Sequence, residues 1–288
     1  MKKIFSKIHF ATYSVADDYK IRALTEEKNG HHVMACAYRG FYHHASAVSN
    51  STVEEMPEKI RQYALAAQMF ENAAGLEKHP IFNAYAQQYR GYEHVVRAGI
   101  AQQNKEKADL YGKSSEFFRK ASLLFRTAAS AKEQKLSYAW SLLTKACALD
   151  ARAAAMMTEY QKISCYRNCK KTALHAHSLF SKLKVRKLRE RSESLEFSSS
   201  AWLLAYKGLY AKASKIFDRA ASTIKKQAEW ELLVLFLRGW SKWFAATSIK
   251  GQEKNSLIRR KKLFVEAAGF FAQSKCPELE KVALRQAG

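Results

Sequence analysis

His32, Cys36, Arg39 and His43 stand at offsets 0, 4, 7 and 11 and so share one face of a helix. Imidazole and thiolate ligate metals, and a guanidinium beside an imidazole can hold phosphate or move protons. One helix cannot close a tetrahedral shell with four residues strung along it, so the stripe reads as packing and surface. Cys165, Cys169, His175 and His177 invite a second zinc reading. On one continuous helix the histidines lie about 15–18 Å from Cys165 by helix rise, so a thiol pair in the core is the expectation. The chain carries no Gly-rich phosphate loop, no His-Glu-x-x-His and no nucleophile elbow, and its carboxylates are scattered. The expectation is a non-enzymatic protein with no cofactor and no metal.

Charge carries more of the functional signal. The 288 residues hold 49 Lys+Arg against 26 Asp+Glu, a formal balance of +23. Residues 1–144 hold 20 basic and 14 acidic groups, and residues 145–288 hold 29 and 12. Such a field attracts nucleic acid, anionic membrane or acidic protein and says nothing about fold. The densest run, 182–191, places Lys182, Lys184, Arg186, Lys187, Arg189 and Arg191 around a single acid, Glu190. Arg259, Arg260, Lys261 and Lys262 form a second run, and Lys170–Lys171 and Lys225–Lys226 lie between the two. On one wall of a helical array these groups would neutralise several phosphates.

The elements that must position such groups are helical. Only 11 glycines and 3 prolines punctuate the chain, and no stretch alternates apolar and polar residues between turns. Pro57, Pro80 and Pro277 each precede a helix-like segment, where a missing N–H costs nothing. Five cysteines without framework spacing suit free thiols in a reducing compartment, and no apolar run reaches the length of a membrane span. The basic start, residues 1–15, reads as a separate segment, with a mitochondrial-type presequence as the minor alternative to a cytoplasmic protein.

The helices repeat themselves. Tyr63, Ala67, Phe70 and Ala73 trace one stripe, and the same offsets hold Tyr111, Ser115, Phe118, Ala121 and then Tyr210, Ser214, Phe217, Ala220. Two weaker copies fall at Ile163, Tyr166, Cys169 and at Leu257, Phe264, Ala267, giving a period near 48 residues. Small residues on such a stripe admit a neighbouring backbone, and rings fill the gaps beside it. Between the stripes recur "YRGFY" (38–42), "YRGYE" (89–93) and "LRGWS" (237–241), each glycine inside a helix. A helix-interior glycine costs about 1 kcal/mol relative to alanine, which close helix approach would offset.

This layout resembles the tetratricopeptide-repeat (TPR) family, and "KGLYAKASKIFDRAA" (207–221) is the segment nearest to that family's second helix. The period near 48 departs from the family's 34, and the proline that often closes a TPR unit is missing. The resemblance implies a right-handed all-α solenoid of about five antiparallel helix pairs over residues 16–276, with residues 277–288 as a capping helix. It also implies an inner wall lined by the "YRG" helices, so that Tyr38, Arg39, Tyr89, Arg90 and Arg238 become candidate contacts to a protein or peptide partner. Within the same family, "QYRGY" (88–92), "YAWSLL" (138–143) and "AWLLAYKGLYAKASKIF" (201–217) look similar to the large subunit of the signal recognition particle, which implies RNA as the alternative ligand. Arg39 and His44 also match the Arg-x4-His spacing of HEPN-type ribonucleases, although Gly40 stands where that family has a polar residue. The reading is therefore a scaffold for a protein partner, with RNA binding by the basic half as its rival.

Overall fold

A computed structural model describes residues 13–50, 52, 54–225 and 230–288 of the chain. The described residues form twelve helices in chain order and no strand. They are α1 (Tyr13–Lys28), α2 (His32–Ser49), α3 (Met56–Leu76), α4 (Pro80–Ile100), α5 (Asn104–Thr127) and α6 (Ala131–Ala155). The series continues with α7 (Glu159–Lys182), α8 (Arg186–Ala205), α9 (Tyr210–Ile224), α10 (Glu231–Thr247), α11 (Lys254–Gln273) and α12 (Pro277–Ala287). The prolines do what the sequence implies: each stands in the first turn of a helix, α3, α4 or α12. Most of the basic segment 1–15 lies outside the described residues, as does Lys226.

Successive helices pack on one another in series, α1 through α5 and again α7 through α12. The chain divides into two compact units, one ending at Thr144 and the other beginning at Lys145. In the first unit the core is a layer of rings. Phe41 meets Phe70 edge-on at 5.0 Å, Tyr92 meets Phe118 at 5.0 Å, and Trp140 stacks on Phe118 at 5.4 Å. In the second unit Trp202 is the hub, with Tyr166 at 5.6 Å, Phe217 at 5.5 Å, Phe244 at 5.5 Å and Trp240 at 4.7 Å. Offset and edge-on ring contacts add roughly 0.5–1.5 kcal/mol each to the burial of apolar area.

The helix-interior glycines are explained by what faces them. A β-carbon on Gly40 would lie 2.4 Å from the ring of Phe70, on Gly91 2.9 Å from Phe118, and on Gly239 2.6 Å from Phe271. Those three rings are fully buried. Each glycine is thus a notch in one helix that admits a phenylalanine from the next, and the notch is why alanine is not used there.

These contacts also set the register, and two of the five copies differ from the sequence expectation. Phe271, not Phe264, enters the notch of the last pair, so Phe264 takes the place that Tyr63 holds in α3. In α7 the register is set by a thiol. Cys169 Sγ donates to the Ala146 carbonyl across 23 residues, as Ser114 Oγ donates to the Gly91 carbonyl across 23. Tyr166 therefore matches Tyr111, and Ala173 stands where Phe118 does. Where the notch residue is alanine, the incoming ring has become alanine too. Tyr63, Tyr111, Tyr166, Tyr210 and Phe264 then correspond, and their spacing varies between 44 and 55 residues rather than holding near 48. The variation comes from helices of 15 to 25 residues and links of unequal length.

Candidate nucleic-acid interface

The residues singled out in the "YRG" segments serve the fold. Tyr38 and Tyr89 are 8% and 3% exposed, and both belong to the ring layer of the first unit. Burial there leaves them no surface to offer a partner, so their expected contact role gives way to core packing. Arg39 forms an ion pair with Glu27 of α1. Arg90 reaches back to Glu71 of α3 at 3.2 Å and along its own helix to Glu93 at 3.2 Å, which also accepts from Arg97 at 2.6 Å. Glu93 is buried, so these guanidiniums neutralise a carboxylate that could not stand alone. Arg238 on α10 is exposed and has no ion pair among the described residues.

The chemistry-bearing stripes are absorbed in the same way. His44 is enclosed by Tyr63, Tyr89 and Tyr92, with ring centroids 5.1 to 6.2 Å away, and its Nδ1 has no hydrogen-bond partner among the described residues. Burial, with a smaller push from Lys59, lowers its pKa to about 4. Arg39 and His44 thus have different partners, Glu27 for the guanidinium and three tyrosine rings for the imidazole. His43 bonds Gln62 at 2.7 Å, and burial pushes the Cys36 thiol up. Among the described residues no three His, Cys, Asp or Glu side chains are grouped so as to hold a metal ion. No described helix is long and apolar enough to cross a membrane.

The basic runs divide. Lys182 ends α7 exposed, and Lys184 sits in the link to α8 with a left-handed φ of 58°. Arg186 pairs with Glu190 of its own helix at 2.7 Å, Lys187 is exposed, and Arg189 is half-buried. Arg191 turns inward, where it lines a narrow cleft with Asp150, Ser194, Ser198 and Trp202. Burial raises the Asp150 pKa to about 6 in spite of that guanidinium. In α11, Arg259 and Lys262 are exposed, Arg260 is half-buried, and Lys261 donates to the Gly288 carbonyl at 2.9 Å.

What the run-based reading missed is a set of ridges. Arg167 and Lys171, one turn apart, line the exposed side of α7, with Lys170 beside them. Lys212, Lys215 and Arg219 do the same on α9 at offsets 0, 3 and 7, where Arg219 also covers the Phe197 ring at 4.2 Å. None of these six, nor Lys182, has an ion pair among the described residues. Counting charges in windows finds Lys170–Lys171 but overlooks Arg167, Lys212, Lys215 and Arg219, whereas counting at helical offsets finds all six. α7 carries five cations against Glu159 alone, and α11 five against Glu266, which Lys242 of α10 already pairs at 2.7 Å. The first unit differs: α3 carries two cations and two acids, and α5 interleaves six with three. Comparison with protein-family models, with curated proteins and with solved structures returns no match.

Proposed function

We propose that the protein is a non-enzymatic helical-repeat binding module whose ligand is RNA, held by the second unit. The observation that carries this reading is the run of exposed, acid-poor ridges on α7, α9 and α11, alternate members of a helix series, with no ion pair among the described residues to neutralise Arg167, Lys171, Lys212 or Lys215. The serial stacking and the Gly–Phe notches support a TPR-like solenoid, in which alternate helices would set these ridges on one wall. The protein-partner reading loses most of its residues, since Tyr38 and Tyr89 are core and Arg39 and Arg90 are paired. Arg238 is the one contact candidate that stays available to it.

Salt dependence tests the proposal. For the full chain with a single-stranded RNA, log K should fall with log salt at a slope of about −0.7 per phosphate contacted. Substituting Arg167, Lys171 and Lys215 together by glutamine should flatten that slope by about two and weaken binding on the order of tenfold or more at 0.1 M salt. Binding that ignores both salt and the triple substitution would remove the reading. Loss of binding on Arg238→Ala alone would return the argument to a protein-type contact surface.

A further inference from the structure

Met157 and Tyr160 are the most exposed of the large apolar side chains, at 92% and 82%. A ring held in water contributes nothing to the core, whereas the other rings whose burial is described, Tyr138 excepted, are buried or half-buried. Tyr160 is not on a loose tip. It is the second residue of α7, whose start is capped by the Thr158 side chain accepting from the Gln161 N–H. Six residues on, Tyr166 is buried and stacked on Trp202 at 5.6 Å, with Tyr206 at 6.2 Å and itself 6.3 Å from Trp202. The exposed phenol is therefore carried on a helix end anchored from behind.

Its surroundings on the same ridge are cationic. From Tyr160 the exposed side of α7 runs through Ser164, Arg167, Lys171, Ser178 and Lys182, at offsets 4, 7, 11, 18 and 22. Arg167 lies about 10 Å from Tyr160 along the axis, and Lys182 about 33 Å. Glu159, the one carboxylate of the helix, is next to Tyr160 and adds to burial in raising the pKa of Tyr206, the residue that caps the end of α8. A flat, exposed ring followed by cations along one line is what a single strand requires: a face for a base, then charge for the backbone. A duplex keeps its bases stacked on each other and has no use for the ring.

We infer that Tyr160 is a stacking platform for an unpaired RNA base and that Arg167, Lys170 and Lys171 hold the adjoining backbone, so that the protein prefers single-stranded to duplex RNA. This inference rests on the RNA reading above and sharpens its ligand. The test uses the full chain with a labelled twelve-nucleotide single strand and a duplex of equal length. Single-stranded RNA should bind more tightly than the duplex. Tyr160→Ala should cost about tenfold or more on the single strand, little on the duplex, and leave the salt slope unchanged, while Tyr160→Phe binds as the parent does. Thermal unfolding of Tyr160→Ala should stay close to the parent's, because the ring buries little of its surface. Unchanged single-strand affinity in Tyr160→Ala, or tighter duplex binding by the parent, overturns the stacking site; the ridge reading survives if the triple substitution still flattens the slope. A parent chain that binds neither RNA at low salt overturns both.

Discussion

Gly40→Ala should destabilise the protein by about 1–3 kcal/mol, although alanine is the better helix former by about 1 kcal/mol. The added carbon would lie 2.4 Å from one carbon of the Phe70 ring and 2.6 Å from another. That ring is fully buried and held by Phe41 at 5.0 Å and Tyr85 at 5.0 Å, so it has nowhere to retreat. Phe70→Ala alone should cost about 3–5 kcal/mol by opening a cavity. The double substitution should cost less than the two singles added, by roughly 1–3 kcal/mol, because the new methyl group enters space the ring has left. The chain already contains a pair of this kind: Ala146 and Ala173 stand where the register puts Gly91 and Phe118. Gly112 provides the control, since nothing lies within 4 Å of an added β-carbon, and Gly112→Ala should be neutral or stabilising. Urea denaturation of the four variants checks the set. Strict additivity would mean that the notch is not keyed to the ring.

The second large effect is a pair of opposed pH responses. His44 in the first unit has its pKa lowered from 6.5 to about 4 by burial. The unfolded chain takes up this proton below pH 6.5 while the folded chain refuses it, so stability is lost as pH falls from 6.5 toward 4. The loss should reach about 2–3 kcal/mol by pH 4.5. Asp150 in the second unit behaves in the opposite sense, its pKa raised from 3.8 to about 6 by burial. Its contribution is intact below pH 3.8 and is lost as pH rises through 6. It should cost about 2 kcal/mol more at pH 7 than at pH 4.5, as the shift from 3.8 to about 6 requires. His44→Phe should therefore gain stability over the parent on acidification, and Asp150→Asn should gain most at neutral pH. Denaturation of both variants at pH 4.5 and 7 is sufficient. A variant-to-parent difference that does not change with pH would show that the group titrates alike in the folded and unfolded chain.

Much of the fold could be read from particular residues. The prolines marked helix starts, and Phe70, Phe118 and Phe217 are fully buried, with Tyr63 buried and Tyr111 and Tyr210 half-buried at the head of their stripes. The register of α7 and α11 could not be read, because a constant period was imposed on helices of unequal length. Tyr166 and Phe264 mimic the phenylalanine of the stripe, and only the notch opposite shows that they occupy its tyrosine position. At the site, clusters were legible and ridges were not. Arg191 counted as surface charge because Asp150, which draws it inward, lies far away in sequence. Arg39 and Arg90 looked available for the same reason: Glu27 and Glu71 belong to the preceding helices.

The central claim is that cations of the first unit hold the fold while those of the second hold RNA. Photo-crosslinking of the full chain to a single-stranded RNA, followed by peptide mapping, tests it most directly. Crosslinks should fall within 159–182, 207–225 and 254–273, with Tyr160 among the modified residues. Crosslinks concentrated in 56–76 or 104–127, where cations and carboxylates alternate, would contradict the account.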